Sequence, residues 1–248
     1  MIYQPLGAED AARAIEWLIR ADPRGHWTGF TVDLGAESAW LLHAMYELPG
    51  FPDLTVDDLT QRSDFPDGEV GDMLAEITGT NVPSELVGSP GPEWRRLAWA
   101  DVVTVPFSDQ PYAPSFRWLN NVRAAGVQGP PEGSMDLDTL ATVAEALARQ
   151  SPDQQLYAYY AGHAEWAVRH TSTTLSDEPI VFSVDPDKIL DLAFETSPSN
   201  IWPADHSWCV STDADLSATF VSGPAELIAR LEASPDLELI RWSPSRDE

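Results

Sequence analysis

Ser197–Ser222 reads SPSNIWPADHSWCVSTDADLSATFVS. Two runs in it, Ser207–Thr212 and Ala218–Ser222, carry the β-branched and aromatic content of strands. Between them, Asp213-Ala214-Asp215 supplies turn chemistry, because short Asp side chains hydrogen-bond their own backbone. Consecutive strands joined by so short a turn pair antiparallel. The stretch therefore predicts a β-hairpin. It also gathers Trp202, Asp205, His206, Trp208, Cys209, Asp213 and Asp215 within one short length of chain, so it is the first place to look for a site.

Working outward, the C-terminal half continues the pattern. Met135–Arg149 has Leu137, Leu140, Ala144 and Leu147 on one helical stripe, with Ser134 or Asp136 as the cap. Gln155–Ala161, Glu165–Thr171, Pro179–Val184 and Leu237–Trp242 read as further strands. Asp185-Pro186 opens a short helix, and Gly223-Pro224 opens another that runs to Ala233. Alternation along Gln155–Ala161 sets Tyr157 and Tyr159 on one face and Tyr160 on the other.

The N-terminal half reads differently. Ala8–Ala21 places Ala11, Ile15, Leu18 and Ile19 on one helix face, and Asp22-Pro23 stops it. His26–Leu34 reads as a strand, Ala36–Leu48 as a helix, and Pro92–Asp101 as a helix start. Phe51–Gly91 reads as loops around short helical pieces at Val56–Gln61 and Glu69–Ile77, and Pro114–Ala125 as another helix. Gly126–Gly133, GVQGPPEG, has linker composition. The expected fold class is α+β. It combines an antiparallel sheet with flanking helices in the C-terminal half (130–248) and a mostly helical, loop-rich N-terminal half (1–129), packed as one integrated unit.

Composition narrows the function classes. The chain has 248 residues, enough for a sizeable core. Its 40 acidic and 14 basic residues leave a net charge of −26. The excess is spread along the chain, with 20 acidic and 8 basic residues in 1–133 and 20 and 6 in 134–248. Such a field repels phosphate backbones and anionic lipid surfaces and attracts cations. A basic protein partner is therefore expected, and nucleic-acid or membrane partners are not. The plainer reading of the same charge is solubility. A single cysteine leaves no intrachain disulfide and no multi-cysteine metal site. The sequence MIYQPLGAED lacks the basic and apolar regions of a secretion signal, so a cytoplasmic location is expected.

Several chemistries lack their motifs. The chain has no G-x-x-x-x-G-K-[ST], G-x-G-x-x-G, G-x-S-x-G or H-E-x-x-H. Asp205, His206, Asp213 and Asp215 offer oxygen and imidazole ligands of the kind divalent ions use. Yet extending Asp213-x-Asp215 into a calcium loop puts Ala218 at the glycine position and Pro224 at the terminal glutamate. Cys209 and His206 lie three apart, so within one strand they would point to opposite faces. No cofactor or metal is expected, and no residue is assigned a catalytic role. The alternatives to a binding protein are a metal-dependent or acid–base hydrolase using the 205–215 cluster and a structural scaffold. For a binding protein, the expected contact residues are Trp202, Asp205, His206, Trp208, Asp213 and Asp215, because Trp anchors and charges steer.

Five blocks carry a resemblance: LHAMYELPG (Leu42–Gly50), GPEWRRLAWAD (Gly91–Asp101), PPEGSMD (Pro130–Asp136), AYY (Ala158–Tyr160) and SPSNIWPADHSWCVSTDADL (Ser197–Leu216). In order and density they resemble blocks of an uncharacterised family of acidic proteins from high-GC bacteria. That resemblance implies no catalytic residue. The broader type is similar to the immunity proteins of polymorphic toxin systems, which implies a small acidic inhibitor.

Overall fold

The computed structural model describes residues 3–25, 28–47, 49, 91–103, 105–110, 112–119, 127–171, 178–194 and 196–241. The quoted stretch contributes three strands: β8 (Asn200–Pro203), β9 (Cys209–Thr212) and β10 (Ala218–Gly223). The expected hairpin is β9–β10, with Thr219 opposite Thr212 and Val221 opposite Val210. β8 adds to the other side of β9, with Ile201 opposite Val210.

The remaining strands are β1 (Tyr3–Pro5), β2 (Glu37–Leu42), β3 (Met45–Glu47), β4 (Arg95–Leu97), β5 (Val127–Gln128), β6 (Leu156–Tyr160), β7 (Ile180–Val184) and β11 (Glu238–Ile240). Eight of the described strands form one sheet in the order β1-β7-β6-β8-β9-β10-β2-β11, and a smaller one runs β4-β3-β5. Every pairing in both is antiparallel. The helices are α1 (Ala8–Ala21), α2 (Trp99–Val102), α3 (Leu137–Gln150), α4 (Gly162–Thr171) and α5 (Ala225–Glu232), with a 3-10 turn at Pro186–Leu192. No described helix is long and apolar enough to cross a membrane.

This is the expected α+β class, but the N-terminal half is not mostly helical. Ala36–Leu48 forms β2 and β3 rather than a helix. The reason is burial on both sides. Ala39 and Leu41 join the core on one face of the sheet, while Trp40, Leu42 and Met45 join the core on the other. A strand covered on both faces reads as a continuous apolar run, which periodicity cannot separate from a buried helix. Pro92–Asp101 likewise yields strand β4 before the short helix α2. The supposed linker supplies Val127 and Gln128 to pair with β3. Glu165–Thr171 errs the other way. It lies in helix α4, where Arg169 bonds Glu165 at the i,i+4 spacing of a helix. Of Pro114–Ala125, Phe116–Leu119 is a 3-10 turn and 120–125 lie outside the described residues, as do the helical pieces expected between 56 and 77.

α3 starts where the sequence places it. The Asp136 carboxylate accepts from Thr139 N at 3.0 Å and from the Thr139 hydroxyl at 2.6 Å, satisfying an orphan amide of the first turn. Leu140, Val143 and Leu147 of α3 pack with Leu227, Ile228 and Leu231 of α5 on Ala158, Ile201, Val210 and Val221. On the opposite face α1 buries Ala11, Ile15 and Leu18 against Tyr159, Val181 and Trp202. Ile19, expected on that buried stripe, stays exposed.

Residues 28–34 are the other covering of that second face. They were expected as a strand, but they cross the strands instead of pairing with one. The Asn200 side chain of β8 accepts from Phe30 N at 3.1 Å and donates to Phe30 O at 2.7 Å. The Ser211 hydroxyl of β9 accepts from Val32 N at 3.4 Å, and that of Ser222 in β10 from Leu34 N at 2.9 Å. Three neighbouring strands thus each offer one side chain to every second amide. Gly29 makes the entry, at φ +114, where a Cβ would stand 2.4 Å from the Thr212 carbonyl oxygen.

Candidate functional site

The stripe Asp10, Arg13, Trp17, Arg20 follows from 3.6-residue periodicity, one step around α1 from its buried face. It borders a groove of about 490 Å³ whose floor is formed by Trp17, Tyr157 and Trp202. The far wall is the β8–β9 turn, represented by Ala204 and His206. Trp202 on β8 is fully buried. Tyr157 on β6 stacks on it at 5.9 Å, and Trp17 meets it edge-on at the same distance.

His206 completes the row. Its ring lies parallel to Trp17, with centroids 4.3 Å apart. The backbone reaches this position through φ +56, a left-handed conformation that a non-glycine residue adopts at a cost. Local bonds hold it there. His206 N donates to Pro203 O at 3.0 Å, and Ser207 N donates to the Asp205 carboxylate at 3.0 Å. Gln154 Nε2 donates to the other Asp205 oxygen at 2.8 Å. Partial burial lowers the His206 pKa against the opposing pull of Asp205. For Asp205, desolvation works against ionisation, but the hydrogen bonds from Ser207 and Gln154 outweigh it and the carboxyl lies below its usual range.

The expected contact residues do not converge. Trp202 faces α1, whereas Trp208 lies on the opposite face and donates from Nε1 to the Ser151 hydroxyl at the end of α3, 2.9 Å away. Asp205 and His206 sit in the turn before β9, and Asp213 and Asp215 in the turn after it. Four strand residues separate the two turns, roughly 13 Å. Asp213 accepts from the Thr28 hydroxyl at 2.8 Å and from Asp215 N at 2.9 Å, so it clips the turn and the crossing segment together. Its pKa is raised, first by desolvation.

Cys209 is buried, with Sγ 3.5 Å from the Ser211 hydroxyl and 3.9 Å from Asn200 Nδ2, and burial pushes its pKa up to about 12. It stays a thiol at neutral pH and is no nucleophile. No group of three or more His, Cys, Asp or Glu among the described residues is arranged to hold a metal ion.

Trp17 is the groove residue that sequence reasoning missed. Its signal was available: an aromatic within an otherwise charged helical stripe, next to the buried face. Its Nε1–H is enclosed and has no hydrogen-bond partner among the described residues. Comparison with protein-family models, with curated proteins and with solved structures gave no match.

Proposed function

We propose that this chain is an acidic cytoplasmic binding protein of the immunity type, which engages a basic protein partner and does not bind nucleic acid. The observation that carries the reading is the way its few cations are used. Arg13, Arg20, Arg95, Arg149, Arg169, Lys188 and Arg241 each lie at ion-pair distance from a carboxylate of the same chain. Exposed pairs of this kind add little stability. They neutralise seven of the chain's 14 cations locally, and the acidic excess leaves a net charge of −26 overall. A field of that sign raises the rate of encounter with a basic surface and disfavours phosphate.

The test is retention on the immobilised chain at low ionic strength, followed by reconstitution with the purified partner. The expected result is a stoichiometric complex with a basic protein whose affinity falls steadily as salt is added. If only neutral or acidic partners form complexes, or if affinity is indifferent to salt, the reading is wrong.

A further inference from the structure

The charged side chains lining the groove beside α1 are Asp10, Glu16, Arg13 and Arg20. They carry no net charge and are paired along the helix, Arg13 with Asp10 and Arg20 with Glu16, each at 3.1 Å. An ion of either sign entering here finds no net field in the lining and must break one of these pairs to gain a partner. The lining therefore favours an uncharged occupant.

The rest of the surface is aromatic. Tyr157 is half-buried and stacks on the fully buried Trp202, while His206 is exposed and stacks on Trp17. Leu6 and Ala14 add apolar surface beside these rings. A volume of about 490 Å³ suits a small molecule, and rings mixed with a few fixed polar groups are the usual lining of such sites.

Two further observations point to a ligand. The indole N–H of Trp17 is enclosed and bonds nothing among the described residues, which costs stability unless an acceptor reaches it. His206 is the one non-glycine residue among those described with a positive φ, +56, and bonds to the Pro203 carbonyl and the Asp205 carboxylate fix its turn in that conformation. Backbone strain of this kind gathers at ligand clamps.

We propose that this groove binds an uncharged small molecule with a flat ring and a carbonyl-type acceptor, the ring lying against Tyr157 and His206 and the acceptor taking the Trp17 indole N–H. The proposal is independent of the basic protein partner, whose binding is argued from the field of the whole chain.

The probes are benzamide, benzoate and benzamidine, which share one ring and differ in charge. Each is titrated into the uniformly 15N-labelled chain at about pH 8, above the titration range of an ordinary imidazole. Benzamide is expected to bind with a Kd on the order of a millimolar, as suits so few atoms. It is expected to move the indole N–H resonance of Trp17, identified by its loss in Trp17→Phe. The two ions are expected to bind at least about tenfold more weakly. Asp10→Asn with Glu16→Gln leaves the lining with Arg13 and Arg20 uncompensated, and in that variant benzoate is expected to overtake benzamide. An ion that binds the parent as tightly as benzamide overturns the preference for an uncharged ligand, as does a variant in which benzamide keeps its lead. Absence of benzamide binding up to its solubility limit, or binding that leaves the Trp17 resonance in place, overturns the site. The salt dependence of a complex with a basic protein is untouched by any of these results.

Discussion

The two faces of the eight-stranded sheet are held by different physics. Under α3 and α5 the contact is aliphatic: Leu140, Val143, Leu147, Leu227, Ile228 and Leu231 against Ile201, Val210 and Val221. On the other face, across β8, β9 and β10, Asn200, Ser211 and Ser222 receive the backbone of residues 30–34. Apolar burial is non-directional and accepts volume-conserving exchange. Hydrogen bonds between side chains and a crossing backbone accept one register, and a lost partner leaves a buried amide unsatisfied. The first face is held by apolar burial, whereas the second adds to its own apolar clusters a set of directional bonds that specify where the chain must lie. The strict face is also the one on which α1 and Trp202 build the groove.

The sharpest break in the comparison is at Gly29. In Gly29→Ala the new Cβ meets the Thr212 carbonyl oxygen and Asp213 Cα, both backbone, in a conformation that L side chains rarely adopt. A loss of about 4 kcal/mol in urea unfolding is expected. A loss below about 1 kcal/mol would mean that the crossing segment moves freely over the sheet.

Next in size, Asn200→Ala and Leu147→Ala test the two faces against each other. Each is expected to cost about 3 kcal/mol, the first through two orphaned backbone groups of Phe30 and the second through a cavity. The totals match, so the distinction lies in hydrogen exchange. Asn200→Ala should release the amides of Phe30, Val32 and Leu34 well before the rest of the sheet. Leu147→Ala should lower protection throughout the sheet and helices. Uniform loss in both variants would erase the contrast between the faces.

This division of labour also explains what the sequence disclosed. Elements covered on one side showed their period. α1 and α3 have one wet face, and their bounds read correctly within a residue or two, although Ile19 and Leu137, each read as part of a buried stripe, stay exposed. The hairpin β9–β10 was legible from its turn chemistry. β2 was not, because Trp40 and Leu41 are buried on opposite faces and no alternation survives. β8 was obscured by Pro203 and by Asn200, a polar residue whose partners lie at Phe30 and Ser211. A buried Asn is explicable only once the chain that satisfies it is in place. The candidate site failed for a related reason. Nearness in sequence suggested that Asp205, His206, Asp213 and Asp215 meet, but a strand separates its ends. The aromatic residues that do meet, Trp17, Tyr157 and Trp202, come from three elements distant in sequence.

The smallest of these effects concerns a polar chain on the otherwise aliphatic face. His43 is fully buried beyond the end of β2. One ring nitrogen, Nδ1, lies 2.7 Å from the Pro131 carbonyl, which can only accept, so Nδ1 carries the proton. Nε2 then accepts from the Thr219 hydroxyl at 2.9 Å, and Thr219 accepts from Thr212 at 2.8 Å. A proton on Nε2 would force the Thr219 hydroxyl to turn and donate to Thr212 instead. Burial is the main cause of a pKa near 4, opposed by the Pro131 bond and by Asp136.

The folded-state value lies below the ordinary one of 6.5, so the unfolded chain binds the proton more readily. The stabilisation is complete above pH 6.5 and is lost as pH falls towards 4. His43→Gln can donate and accept but does not titrate. The stability gap between parent and variant is therefore expected to shrink by roughly 2 kcal/mol between pH 7 and pH 5. The exposed carboxylates titrate alike in both proteins and cancel from that difference. A gap that stays constant with pH would show that the imidazole is as easily protonated in the folded chain as in the unfolded one. In that case the aliphatic face would be open to water at its Thr219 end.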